Sequence, residues 1–217
     1  MDSGRAEAFS DGVFAVAITL LVIDLLPIGS GPDLNAHVLL HHWPEYAAYV
    51  VSFLTIGIMW MNHHTILGHV SRVDRPLLAL NLFLLLGIVA IPFPTALVAK
   101  HLTGPGGAVA AVTYGLVMIA ISFGFTGIWV YVVTHAAALG APLPREALWQ
   151  SIPRFTAGLF VYVVGTLIAA FASAPAAVAI YGLLAVYYLF EHLPSPAGGD
   201  APAGADGGDG GPGGLAG

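Results

Sequence analysis

Apolar runs of membrane length alternate with short Pro- and Gly-bearing breaks along most of this chain. Six segments, at about residues 8–26, 46–67, 77–98, 108–135, 155–172 and 176–190, have the predominantly apolar character of bilayer-crossing helices, which need about 20 residues each. Pro27, Pro32, Pro76, Gly104-Pro105-Gly106, Pro142, Pro144 and Pro175 mark the breaks. The pattern predicts an all-α integral membrane protein with six transmembrane helices in residues 1–193. The last two segments are the shortest, and Ser173-Ala174-Pro175 between them also permits one broken hairpin. From residue 194 to 217 the chain is almost wholly Gly, Ala, Pro and Asp, too poor in large side chains to bury a core, so a disordered cytoplasmic tail is expected there.

Within the first run the periodicity separates two surfaces. At about 100° per residue, Gly12, Val16, Leu20 and Ile23 fall on one narrow stripe with Thr19 at its edge, while Ser10 and Asp11 point elsewhere. Polar groups at the entrance to a membrane helix need partners. Candidates are Trp60, Asn62, His63 and His64 near the end of the second segment and Asn81 near the start of the third, which an alternating threading puts at the same depth. A Ser–Asp–Asn–His–Trp hydrogen-bond network is therefore expected, with Arg5 nearby. Such a network either locks three helices together or serves as a proton relay or gate lever. The apolar stripe, taken alone, reads as a helix-packing seam.

Composition narrows the functional classes. At 58% hydrophobic and 8% charged residues, with a mean hydropathy of +0.86, the chain belongs in a lipid bilayer. Half of the formal net charge of −6 comes from Asp200, Asp206 and Asp209, so the body is close to neutral and nucleic acid is excluded as a partner. The absence of Cys rules out disulfides and thiolate chemistry. Arg5, Arg72, Arg75, Arg145 and Arg154 sort to one side of a six-span threading and Lys100 to the other, which predicts a multi-pass plasma-membrane protein with both termini cytoplasmic. The first segment lacks a basic leading region and an Ala-x-Ala site, and is expected to be retained rather than cleaved as a signal. Short loops leave no room for a soluble catalytic domain, so no enzyme and no cofactor are expected.

No metal centre is expected either. His37 and His41 would meet on a helix beside His42 in the first external loop, but without an acidic or thiol ligand at matching spacing. His63 and His64 are adjacent and face different ways, so at most one can share a site. Asp24, Asp33 and Glu45 are placed on the external side, where acidic groups raise the local cation concentration. Asp24 lies nearest the stripe.

Arg5-x-x-x-Phe9-Ser10-Asp11, followed by Gly-Val-Phe-Ala-Val-Ala-Ile-Thr-Leu-Leu-Val, resembles the signature of bacterial members of the transmembrane protein 175 potassium-channel family. Trp60-Met-Asn62-His63-His64, Asn81 and Pro92-Phe93-Pro94-Thr95 are similar to that family's patterns too, so the resemblance covers about residues 5–97 and beyond them is only hydropathic. It implies a six-helix subunit in a homotetramer that conducts K+ through a pore lined by the first helix. No Thr-Val-Gly-Tyr-Gly filter is present, and the resemblance assigns the constriction to Val16, Leu20 and Ile23 and a hydroxyl layer to Thr19. Val16 stands where the family usually has Leu or Ile, which implies a wider constriction and weaker discrimination against Na+. The rival reading is a proton-coupled secondary transporter using Asp11 with His63 and His64. It lacks paired broken helices or repeat symmetry in its support.

Overall fold

The computed structural model describes residues 2–28, 30, 35–141 and 145–190, and the side chains of these apart from 145–156 and 189–190. Asp33, Pro142, Pro144, the side chains of Arg145 and Arg154 and the predicted tail at 194–217 lie outside the described parts. Every element within them is helical. In chain order these are α1 (Ser3–Leu20), continued by a 3₁₀ turn at Leu21–Leu25, then α2 (Ala36–His41), α3 (Trp43–Gly68), α4 (Arg75–Ala90) and α5 (Pro92–His101). There follow α6 (Gly107–Thr134), α7 (Ala136–Leu139), α8 (Arg145–Phe171) and α9 (Ala174–Phe190).

Among the described residues, four helical stretches are long and apolar enough to cross a bilayer: Ser3–Leu25, Trp43–Gly68, Arg75–His101 and Gly107–Thr134. The described apolar parts of the last two helices, Ala157–Phe171 and Ala174–Tyr188, are shorter. Ala172-Ser173 separates α8 from α9, which pack against each other as a hairpin.

The third apolar run is not one continuous helix. Pro92 and Pro94 have no N–H to return to the carbonyls of Ile88 and Ala90, so α4 stops at Ala90 and α5 starts at Pro92. The Thr95 hydroxyl donates to the Ile91 carbonyl at 2.8 Å and pairs with the Ser52 hydroxyl at 2.8 Å, so the break is tied to α3 by groups that leave little polarity unsatisfied.

α6 is the central helix and packs against α4, α5, α8 and α9. Its contact with the terminal hairpin depends on missing side chains. A Cβ on Gly115 would stand 2.0 Å from Thr166 Oγ1 and 2.5 Å from the Tyr181 hydroxyl, so glycine is what lets the backbones approach. α1 lies to one side against α3 and α4. It is the least covered of the membrane-length helices, with 22% of its apolar window buried against 50% for α6.

One end of the bundle is laced by its connections. Asp2 forms an antiparallel bridge with Arg72, and the Ser71 and Arg72 amides donate to the Leu139 carbonyl at 3.0 and 3.2 Å. Gly140, at φ +67°, supplies the left-handed residue that ends α7 there. Asp74 caps α4 through the Leu77 amide at 3.0 Å and accepts the Tyr131 hydroxyl at 2.6 Å. The Tyr131 bond is the main reason the Asp74 carboxyl is held below the ordinary carboxylate value. Lys100 sits near the end of α5, at the far end of the Arg75–His101 stretch.

Candidate functional site

The buried face of α1 carries Ala6, Ser10, Phe14 and Ala17 at three- and four-residue spacing. Ser10 is fully buried, and its hydroxyl donates to the Ala6 carbonyl at 2.8 Å, one turn back. That proton being committed, Ser10 can only accept from Asn81 Nδ2, which donates at 2.9 Å. The Asn81 amide is thereby oriented with Oδ1 toward His63 Nε2 at 2.7 Å, so the imidazole is the donor in that bond. Three helices are thus joined by one directional chain running from His63 on α3 through Asn81 on α4 to Ser10 and Ala6 on α1. The His63 ring also packs 5.3 Å from the ring of Phe14. His63 Nδ1 is buried and has no hydrogen-bond partner among the described residues.

A second cluster lies beside the first, closer to solvent. Trp60 Nε1 donates to Asp11 Oδ1 at 2.8 Å. His64 Nδ1 meets Glu7 Oε1 at 2.6 Å, and the Trp60 and His64 rings stand 6.0 Å apart. The Ser–Asp pair therefore does two things: Ser10 points into the buried chain, and Asp11, about 100° round the helix, meets Trp60. Asn62 is half-buried and Arg5 exposed, and neither joins these bonds. Glu7 joins them without being among the residues the sequence pattern marks, although it sits one helical turn before Asp11, a spacing that places both carboxylates on one side of α1. Only the docking of α3 shows that His64 belongs with them.

The apolar stripe occupies another face of the same helix. Val16, Leu20 and Ile23 are 55%, 36% and 52% exposed and Thr19 is exposed, whereas Phe14, Ala17 and Leu21 are buried. The Thr19 hydroxyl donates to the Val16 carbonyl at 2.8 Å, which leaves its oxygen lone pairs turned outward. The tightening to a 3₁₀ turn after Leu20 advances each residue by about 120°, so Ile23 stands directly over Leu20 rather than drifting round the helix. Asp24 follows in that turn and is half-buried. His37 and His41 stack across one turn of α2 with ring centroids 6.2 Å apart, and His42 pairs with Glu45 at 2.9 Å.

A polar clasp at one end and an uncovered apolar, hydroxyl-bearing stripe along one face define an α-helical membrane protein whose first helix is anchored on one side and open on another. A family model described as the endosomal/lysosomal potassium channel TMEM175 matches residues 5–92. A potassium channel of Streptomyces collinus is 46% identical over 197 residues, covering 90% of this chain and 95% of the relative. A potassium channel of Chamaesiphon minutus is 36% identical over 190 residues, covering 86% and 93% respectively. The crystal structure of a lysosomal potassium-selective channel TMEM175 homolog from Chamaesiphon minutus superposes with a TM-score of 0.74 at 34% identity, over 86% of this chain and 96% of that one. The chain belongs to the TMEM175 family.

Proposed function

We propose that this chain is the subunit of a potassium-selective or monovalent cation channel, a passive membrane conductor and not an enzyme. The observation that carries this reading is similarity along nearly the whole length of relatives named as potassium channels. In this reading six helices span the plasma membrane, with α4 and α5 acting as one kinked span, both termini are cytoplasmic, and four copies surround a pore lined by α1. The separation of Lys100 from the end holding Arg72 and Arg75 supports that orientation. The uncovered stripe on α1 supports its role as pore lining.

The proposed mechanism follows from the side chains. Rings of Val16, Leu20 and Ile23 narrow the path and resist wetting, so they act as a gate and penalise ions that hold water tightly. Four Thr19 hydroxyls beside them replace part of the hydration a passing K+ loses. The network of Ser10, Asn81 and His63, with the Asp11–Trp60 bond, holds the start of α1 in register against α3 and α4. Asp24 is suited to concentrating cations at the external mouth.

Reconstitution into planar bilayers under a K+ gradient tests the reading. Discrete unitary currents that reverse toward the K+ equilibrium potential are expected. Slow, saturable flux tied to pH would instead favour a carrier using Asp11, His63 and His64. In the same assay Val16→Asn is expected to wet the constriction and raise Na+ passage relative to K+. An unchanged reversal potential with Na+ on one side would remove Val16 from the pore.

A further inference from the structure

Glu7 and Asp11 lie one turn apart on α1, and α3 brings His64 against both. One ligand atom from each of the three lies within 4.8 Å of the others. From this geometry we infer that Glu7, Asp11 and His64 form a binding site for a first-row transition-metal dication of the Zn2+ type, which clasps the start of α1 to α3.

The donor set decides the class of ion. Two carboxylates and one imidazole suit a borderline dication and leave a coordination position open to water, whereas K+ and Ca2+ favour all-oxygen cages. With bonds of about 2.0 Å in a tetrahedral site, ligand atoms stand about 3.3 Å apart. The Glu7–His64 contact at 2.6 Å needs to open slightly and the wider separations to close, both within reach of side-chain rotation. Trp60 already holds Asp11 from outside the triad, the kind of bond that orients a metal-binding carboxylate. His64 is more than half exposed, which provides an entry path, while Glu7 and Asp11 are half-buried. His63 is excluded from the site because its Nε2 is committed to Asn81.

Sequence spacing gives His64 no second ligand, since the adjacent His63 faces another way and no acidic or thiol group stands at matching separation beside the other histidine cluster. The tertiary structure supplies the missing ligands from a different helix. The site stands on geometry and donor chemistry and does not depend on ion conduction, so it is tested without measuring flux.

Purified, chelator-washed full-length protein titrated with ZnCl2 in a calorimeter is expected to show a site whose affinity falls at least about tenfold in both Glu7→Gln and His64→Gln, as loss of a metal-site group does. His37→Ala and His41→Ala are expected to leave that site unchanged. Absence of saturable binding, or equal affinity in Glu7→Gln and wild type, overturns the assignment. Since Glu7→Gln also removes the contact with His64, Glu7→Cys provides an independent reading: its thiolate is expected to raise Cd2+ affinity above that of the wild type. Cd2+ affinity no higher than wild type would show that Glu7 only hydrogen-bonds His64, and the proposal would fall.

Discussion

Asn81 links His63 to Ser10 with both ends of one amide, and among the described residues neither neighbour has a second helix-bridging bond to fall back on. Asn81→Leu keeps most of the volume but strands the buried His63 Nε2–H, which carries a penalty of about 1–3 kcal/mol. That loss is expected in the unfolding free energy measured by denaturant titration in detergent. Combining it with His63→Phe should cost less than the two changes added, because removing both partners leaves no stranded donor. Additive losses would show that the bond contributes nothing. Asp74 gives a second residue-scale expectation. Its carboxyl is depressed in the folded chain by the Tyr131 hydroxyl, so its contribution is complete above the unfolded carboxylate value of about 4 and declines as pH falls from there through the folded value. The thermal midpoint is expected to drop in that acid range, and Asp74→Asn to remove part of the drop. An identical acid profile in the variant would exclude Asp74 as a source.

Among the elements, α6 and the α8–α9 hairpin show how glycine sets distance. Thr166 Oγ1 donates to the Tyr162 carbonyl at 2.7 Å and pairs with the Tyr181 hydroxyl at 3.2 Å, so it cannot swing aside from a new methyl on residue 115 without breaking them. Gly115→Ala is therefore expected to destabilise by about 1–3 kcal/mol, the range for overpacking. Gly57→Ala, where a Cβ would meet nothing within 4 Å, is expected to leave stability unchanged or raise it. Thermal unfolding in detergent checks both, and equal effects would mean that close approach at Gly115 is not what holds α6 to the hairpin. The elements themselves were largely legible. Apolar runs bounded by Pro and Gly gave long helices near 8–26, 46–67 and 108–135, because hydrophobic length and helix breakers are local properties. The same proline rule, applied to Pro92 and Pro94, accounts for the division of the third run into α4 and α5, which hydropathy alone runs together. The 3₁₀ turn after Leu20 has no comparable local marker.

For the whole molecule, the sidedness of α1 makes a prediction about assembly. The natural chain has no Cys, so a single introduced thiol reports without background. If α1 lines a pore shared by four copies, Leu20→Cys brings identical side chains together at the axis, and mild oxidation in membranes should give disulfide-linked dimers on a non-reducing gel. Leu183→Cys, on another exposed position in α9, should give far fewer. Equal cross-linking at both positions, or none at Leu20, would point α1 toward lipid instead. The gate, the hydroxyl layer and the selectivity proposed for Val16 all require that the uncovered stripe meets its own copies.

By itself the sequence determined the solvent this protein lives in, its helical class and the segments that form its long helices. It also pointed to Ser10, Asp11, Trp60, His63, His64 and Asn81 as polar groups in need of partners, because burying such groups in hydrocarbon is costly wherever they end up. Which partner each one takes was decided only by the tertiary structure. Ser10 and Asn81 are 71 positions apart and Asp11 and Trp60 are 49 apart, and no periodicity reaches that far. Tertiary packing left Arg5 and Asn62 outside the bonds, brought Glu7 in, and divided α1 into one face held by its neighbours and another left open. A hydrogen bond needs two groups within about 3 Å in a favourable direction, and only the docking of one helix on another sets that distance.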